Sequence, residues 1–208
     1  MMQTTTVPKP SPNEILKAGS PTLSGTIAQT LADPQADHFV EDDAQFLKFH
    51  GVYPQDDRDL RKTGKKYIFM VRCRIPGGLL TPAQYLACDD LSARYANNTL
   101  RVTSRQGFQF HGVVKGGLRA LVKEINDALL GTLAACGDVS RNVMAPPTPA
   151  MNNLGAQVQE HARQAAAAFL PRTRAYHSIW IEGVPLDLED PANKDFVDPL
   201  YGKTYLPR

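Results

Sequence analysis

The sequence predicts an α+β fold with the element order β-α-β-β-α, and the residues after Gly137 leave room for a closing strand. Three observations predict this order. A run rich in β-branched and aromatic residues at 67–75 ends in Pro-Gly-Gly, a capped helix start follows, and two short strand-like runs then surround a Gln-Gly turn. With the closing strand, β-α-β-β-α-β is the ferredoxin-like, or split βαβ, arrangement.

The first predicted helix begins at Thr81, a residue type that suits the N-cap. Pro82 then occupies the first helical position, and Gln84 completes a capping box. Apolar residues continue at helical spacing until Asn97 and Asn98 end the helix.

A predicted hairpin follows, with strands at 99–104 and 108–114 and a turn at Gln106 and Gly107. The second predicted helix comes directly after it, and Gly131 suits its C-terminal cap. The apolar stripe of that helix consists of Leu118, Leu121, Val122, Ile125 and Leu129.

The chain is predicted to divide into three segments. Residues 1–60 form an N-terminal arm and an irregular packed stretch, and residues 61–145 form the ferredoxin-like unit. Residues 146–208 contain a Pro-rich connector, a helix and the incomplete start of a second α+β domain.

The outer segments carry weaker signals. Residues 1–25 are rich in Thr, Ser and Pro, which predicts either a flexible lead or an arm that becomes ordered only by packing on something else. Residues 25–32 could form a short helix. Residues 45–58 mix aromatic and polar side chains with no clean period, which predicts irregular structure. An Ala-rich helix is predicted at about 156–169, and a strand at 176–181.

Composition excludes several classes of function. The net charge of +2 is too small to indicate a nucleic-acid or membrane-surface partner. No apolar run approaches the roughly 18–20 residues of a membrane span, and residues 1–10 lack the apolar core of a signal peptide. We therefore expect a cytoplasmic protein.

The three cysteines, Cys73, Cys88 and Cys136, form no closely spaced pair. Metal sites of the zinc and iron–sulfur types are usually marked by such pairs, so we expect no metal ligand in this stretch. An odd, sparse cysteine count also fits a reducing compartment.

Side chains alternate between the two faces of a strand, so the predicted hairpin has one polar and one apolar face. The polar face carries Arg101, Thr103, Arg105, Gln109 and His111. The apolar face, which can bury against the helices, carries Leu100, Val102, Phe108 and Phe110. The preceding strand places Arg72 and Arg74 on one face, and Lys115 adds a further positive charge.

Two interpretations of this polar face stay open on the pattern alone. No acidic residue occurs from 101 to 119, and arginine offers a planar fork of donors that suits carboxylates and other oxyanions. The face is therefore a candidate site for a polyanionic ligand. Alternatively, it is an ordinary solvated face of an antiparallel sheet and needs no ligand.

Several strings resemble motifs of the siroheme-dependent nitrite and sulfite reductases. Residues 72–78 (RCRIPGG), 103–112 (TSRQGFQFHG) and 135–143 (ACGDVSRNV) resemble three motifs of that family. Residues 170–176 (LPRTRAY) and 201–208 (YGKTYLPR) resemble the sulfite-reducing members in particular. The matches keep their order from about residue 45 onward.

The resemblance implies that siroheme and a coupled 4Fe–4S cluster reduce sulfite to sulfide by six electrons. Arg72 and Arg141 match arginines that bind the anionic substrate over the siroheme iron. Arg101, Arg105, Gln109 and His111 match residues of the siroheme-binding hairpin, with Thr103 and Ser104 as further candidates. The electron donor implied is ferredoxin or an NADPH-dependent flavoprotein subunit.

The resemblance also implies that the chain is the N-terminal part of an assimilatory sulfite reductase. The lysines that complete the anion site and the cysteines that hold the cluster would follow Arg208, so the separate chain is expected to be inactive. Two alternatives remain: a nitrite reductase of the same superfamily, or a non-catalytic module that binds a tetrapyrrole or a partner subunit.

Overall fold

A four-stranded antiparallel sheet with the order β1-β2-β4-β3 forms the centre of the protein. The computed structural model describes residues 9–20, 23–56, 62–64, 66–133, 135, 140–148, 152–170, 180–181 and 184–185. The sheet strands are β1 (Val52–Asp56), β2 (Tyr67–Arg72), β3 (Leu100–Val102) and β4 (Phe108–Val113). The helices are α1 (Pro12–Ala18), α2 (Ile27–Ala32), α3 (Glu41–Phe49), α4 (Pro82–Tyr95), α5 (Lys115–Asp127) and α6 (Asn153–Ala168).

The predicted order from β2 to α5 is confirmed, and so is the α+β, ferredoxin-like fold class. Strands β2 and β3 are joined through α4, and β4 lies between them, which is the split βαβ arrangement. The predicted closing strand after Gly137 is not found in the described residues that follow it. Residues 140–148 form no strand, Gly137 lies outside the described residues, and β1 occupies the place beside β2.

The expectation of irregular structure at 45–58 was wrong for its described part. Residues 45–49 end α3, and residues 52–56 are β1, which pairs with β2 along its whole length. The buried carboxylate of Asp43 accepts hydrogen bonds from the Thr26 backbone N at 2.9 Å and from Thr26 Oγ1 at 2.7 Å. This long-range contact holds α3 against the start of α2, and a local sequence pattern cannot reveal it.

Part of the N-terminal arm is ordered and packs on the rest of the protein, which was one of the two predicted alternatives. Residues 12–18 form α1, whose N-cap Ser11 accepts a hydrogen bond from the Glu14 backbone N at 3.3 Å. A small apolar cluster of Leu23, Phe46 and Phe49 includes Leu16 of this helix at its edge. The predicted short helix at 25–32 is confirmed as α2.

One face of the sheet packs on helices and forms the main core. Val71, Phe110 and Val113 are fully buried there, together with Leu121 and Ile125 of α5. Helix α4 adds Cys88 and Leu91 to the same cluster. The other face of the sheet is therefore the one that can carry polar side chains.

The capping box of α4 is confirmed. Thr81 Oγ1 accepts from the Gln84 backbone N at 3.2 Å, and the Thr81 backbone N donates to Gln84 Oε1 at 3.0 Å. The Gln84 amide nitrogen also donates to the carbonyls of Ala128 and Leu129 at the end of α5.

The predicted cap at Gly131 was wrong. Helix α5 ends at Asp127, and Leu129 takes the left-handed conformation with φ 58°. The contacts of Gln84 with this turn help to hold it. Gly131 instead forms an isolated β-bridge with Arg74.

The end of the chain is described only in part. Helix α6 confirms the predicted Ala-rich helix, and Trp180–Ile181 (β5) pairs with Val184–Pro185 (β6). Most of the predicted strand at 176–181 and of the predicted second domain lies outside the described residues. The three-segment division stays a prediction. Within the described ranges, no helix is long and apolar enough to cross a membrane.

Candidate anion-binding site

Arg72, Gln109 and Arg101 form one row across three neighbouring strands. Gln109 of β4 lies opposite Arg72 of β2 on one side and opposite Arg101 of β3 on the other. Directly opposed residues share a face of the sheet, so these three side chains lie together on the face away from α4 and α5. The alternation of the sequence predicted this placement of Arg101 and Gln109.

The side chain of Gln109 connects Arg72 to His111. A guanidinium can only donate hydrogen bonds, so the amide of Gln109 is assigned with its oxygen toward Arg72. In that orientation the oxygen accepts from Arg72 Nη2 at 2.6 Å and from Arg72 Nε at 3.1 Å, and the nitrogen donates to His111 Nε2 at 3.1 Å. The Arg72 guanidinium also lies 5.8 Å from the centre of the Tyr53 ring, and its Nη1 is 3.5 Å from the Ala135 carbonyl oxygen. Arg72 is therefore held in one orientation from several sides.

Burial lowers the pKa of His111 below its ordinary value of 6.5, and the positive charges of Arg101 and Arg72 lower it further. The imidazole is thus neutral at pH 7. Because Nε2 accepts the hydrogen bond from Gln109, the ring proton lies on Nδ1.

The tip of the hairpin is shaped by Thr103. Its Oγ1 accepts from the backbone N of Gly107 at 3.0 Å and of Arg105 at 3.3 Å, which closes the turn. Ser104 and Arg105 are left exposed at the tip. A side chain at position 107 would lie 2.7 Å from the Cys73 carbonyl oxygen, so only glycine fits this close approach.

Arg141 is exposed and belongs to a segment that is fastened to this tip. The buried side chain of Asn142 donates to the Arg105 carbonyl at 2.8 Å and to the Ile75 carbonyl at 2.6 Å. Gln106 exchanges two hydrogen bonds with the backbone of Ala145, at 2.6 and 3.0 Å. Hydrogen bonds thus join the hairpin tip to the 140–148 segment, and they lie directly beside Arg105 and Arg141.

Sequence reasoning missed Asn142 and Gln106 as supporting residues. Both lie inside the strings that carry the resemblance, at 135–143 and 103–112. The strings themselves were the only available signal, because the bonds of these two side chains reach residues far away in the sequence.

Two residues assigned to the sheet faces, Arg74 and Val102, lie elsewhere than the alternation predicts, and the charge of Lys115 is bound elsewhere in the protein. The Lys115 ammonium donates to the carbonyls of Thr30, at 3.1 Å, and of Asp33 at the end of α2. Arg74 is buried, and its Nη2 donates to the Ala166 carbonyl in the last turn of α6 at 2.6 Å. Val102, expected in the core, is 74% exposed because β3 is an edge strand.

Comparison with known proteins relates this chain to one family. Residues 60–128 match the nitrite/sulfite reductase ferredoxin-like half domain. The sulfite reductase (NADPH) hemoprotein beta-component of Staphylococcus epidermidis strain RP62A is 48% identical over 201 residues, which are 94% of this chain and 34% of that protein. Over nearly its whole length the chain is thus similar to the nitrite and sulfite reductase family.

A second curated relative and one solved structure give the same picture. The corresponding protein of Shouchella clausii is 47% identical over 210 residues, 96% of this chain and 35% of that protein. This chain thus spans about a third of the length of the curated relatives it matches. The Mycobacterium tuberculosis NirA protein shares the fold, with a TM-score of 0.59 and 22% identity over 74% of this chain and 31% of that one.

The polar face has the donor chemistry that the siroheme of this family would require. Arg101, Arg105 and Arg141 are exposed and Arg72 is half-buried. Among the residues that the structure describes, no carboxylate forms an ion pair with any of them. A tetrapyrrole ringed with carboxylates could therefore supply the missing negative charge. The roles of these residues stay predictions.

The described residues do not offer a site for the iron–sulfur cluster. Cys73 and Cys88 are buried in the core and hydrogen-bonded to each other, which raises the pKa of the Cys73 thiol. In the described ranges, no three His, Cys, Asp or Glu side chains group closely enough to hold a metal ion. Cys136 lies outside those ranges.

The lowered pKa of His111 predicts that stability falls on acidification. The unfolded chain binds a proton at this position near pH 6.5, whereas the folded protein binds it only at lower pH, so stability is full above 6.5 and is lost as the pH falls through the folded pKa. Burial lowers the pKa of His50 in the same direction. We expect urea unfolding to give a smaller free energy at pH 6.0 than at pH 7.5.

Replacing His111 by glutamine should make this decrease smaller. The matched control is His161→Gln, since His161 is exposed on α6 and should keep the wild-type profile. Equal decreases in the two variants would contradict the role of His111.

Proposed function

We propose that this chain contributes the siroheme- and sulfite-binding face of an assimilatory sulfite reductase. The observation that carries the proposal is the row of Arg72, Gln109 and Arg101, together with the bonded segments that bear Arg105 and Arg141. Four guanidinium groups without a described carboxylate partner form a surface suited to a polyanion and a second, smaller anion. The relatives named as sulfite reductases support the choice of reaction.

The exposed arginines Arg101 and Arg105 would bind the carboxylates of siroheme, because a guanidinium pairs with a carboxylate through two parallel hydrogen bonds. Ser104 adds a hydroxyl at the hairpin tip, and Thr103 keeps that tip in shape. His111 offers its Nδ1 proton from the same face. When bound, siroheme with its 4Fe–4S partner would transfer the electrons of the donor to sulfite.

Arg72 and Arg141 would hold sulfite. Both present cationic donors, and their charge stabilises negative charge on the oxygens as these leave as water. Arg72 is already fixed by Gln109 and the Tyr53 ring before any ligand arrives, so little reorganisation is needed when charge develops. Binding and charge stabilisation are the contributions that the described residues can make.

We propose NADPH as the source of electrons, since the similar relatives carry it in their names, with a flavoprotein subunit as the partner that delivers them. This partner and the cytoplasmic location follow from the family resemblance. The siroheme and sulfite parts of the proposal are tested together by one experiment.

The longest protein that the gene encodes is purified from cells that make siroheme, and its absorption spectrum and its oxidation of reduced methyl viologen are recorded. We expect siroheme absorption, sulfide as the product, and six electrons consumed for each sulfite. A much higher kcat/KM for nitrite would favour a nitrite reductase instead. Bound siroheme without turnover of either anion would favour a non-catalytic module, and absence of siroheme would contradict the proposal.

A further inference from the structure

We infer that Gln109 is a positioning residue, which fixes the guanidinium of Arg72 and the tautomer of His111 and is not primarily a contact to siroheme. The hydrogen bonds of its amide carry this inference. Only the consequence for sulfite binding rests on the proposed function.

The amide of Gln109 is almost fully used inside the protein. A glutamine side chain can accept two hydrogen bonds at its oxygen and donate two from its nitrogen. Both acceptor positions are taken by Arg72, at 2.6 and 3.1 Å, and one N–H is taken by His111 at 3.1 Å. One N–H is left for any ligand, which is a poor basis for recognising a carboxylate-rich macrocycle.

Gln109 makes the shortest contacts that orient Arg72. The other neighbours of the guanidinium are the Tyr53 ring at 5.8 Å and the Ala135 carbonyl at 3.5 Å, both weaker restraints. Because Gln109 binds Nε and one side of Nη2, the second N–H of Nη2 and the N–H of Nη1 that does not face the Ala135 carbonyl stay directed away from it. These free donors are the ones available to an anion.

His111 completes the arrangement, because its neutral Nε2 accepts the hydrogen bond that the amide nitrogen of Gln109 offers. If His111 were protonated at Nε2, Gln109 could not satisfy both neighbours: its nitrogen would face a donor on His111, and turning the amide would place its NH2 group against the donors of Arg72. The charged groups that face His111 are Arg101 on β3 and Arg72 on β2, and both oppose that protonation. Arg72 is thus held in place as long as His111 stays neutral.

The first test uses nuclear magnetic resonance on the chain of residues 1–208, with His111 titrated and the Arg72 Nε–H signal observed. Gln109→Glu keeps acceptors for Arg72 but puts an oxygen opposite His111, so the His111 pKa should rise and its proton should move to Nε2. Gln109→Met removes both sets of bonds, and exchange of the Arg72 Nε–H should become about tenfold faster.

The matched control is Gln55→Met, which changes a half-buried glutamine on β1 of the same sheet and should leave both signals as in wild type. A wild-type His111 that carries its proton on Nε2 would overturn the inference. So would an unchanged Arg72 exchange rate in Gln109→Met.

The second test separates positioning of Arg72 from siroheme binding in the longest protein that the gene encodes. Gln109→Met should raise KM for sulfite about tenfold, the effect of one lost charge-assisted hydrogen bond, while the siroheme content stays at the wild-type level. Loss of siroheme with unchanged KM in the remaining holoenzyme would show a cofactor contact and overturn the inference. If the wild-type protein does not reduce sulfite, the proposed function fails, and the magnetic resonance test still decides the role of Gln109.

Discussion

Replacing Arg72 by alanine is expected to lower kcat/KM for sulfite by about 10²–10³-fold in the longest protein that the gene encodes, the usual effect of removing one preorganised donor. Arg72 is the arginine of the polar face that the structure holds most firmly, through Gln109 and the Tyr53 ring. Its loss removes a fixed positive charge that the neighbouring residues cannot replace. Steady-state oxidation of reduced methyl viologen at varied sulfite measures the effect.

The control for this variant is Arg163→Ala. Arg163 is an exposed arginine on α6 whose charge is paired with Glu160, and surface pairs of this kind contribute little. Its kcat/KM should equal that of wild type. Arg72→Ala could instead retain more than about a third of wild-type kcat/KM with normal siroheme content. That loss would be too small for the removal of a substrate-binding donor, so Arg72 would not bind the substrate.

Phe110→Ala should lower the free energy of unfolding of the 208-residue chain by about 3–5 kcal/mol, the usual cost of removing a buried phenylalanine. Phe110 is fully buried in β4, opposite Val71 of β2 and Leu100 of β3. Its removal leaves a cavity between the sheet and the helices. This loss is large, because the total free energy of unfolding of a globular protein is only about 5–15 kcal/mol. Urea unfolding followed by circular dichroism measures the loss.

Val102→Ala is the matched control for this second variant, because Val102 faces the same side of the sheet but is 74% exposed. Its effect should stay within about 0.5 kcal/mol. Equal losses in the two variants would mean that Phe110 does not lie in a closely packed core. Gln109 and His111 flank Phe110 in the sequence, so the same core residue also supports the polar face.

The elements from β2 to α5 could be predicted from the sequence because their signals are local. The capping box at Thr81 and Gln84 and the alternation along β4 need only a few neighbouring residues to be recognised. Strand β1 could not be predicted in this way. It contains Pro54, which is tolerated on an edge strand, and it exists through pairing with β2 further along the chain.

In the candidate site, too, only the features with local signals could be predicted. Alternation was enough to place Arg101 and Gln109 on one face, but the alignment of Arg72 with Gln109 depends on the register between β2 and β4. Arg74 was misplaced because it hydrogen-bonds to a carbonyl in the last turn of α6, and Lys115 is bound in the same way at the end of α2, which the strand pattern does not indicate. Helix C-termini carry partial negative charge, which favours such cations.

The side-chain amide of Gln106 donates to the carbonyl of Ala145 and accepts from its backbone N. This is the pair of hydrogen bonds that a residue of a neighbouring β-strand would make. Asn142 adds two more bonds of the same kind, directly beside Arg141. The position of Arg141 is therefore defined by anchors that start at the adjacent residue. An insertion between residues 141 and 145, or within the hairpin tip at 103–107, should therefore change the distance between this guanidinium and the tip of the hairpin.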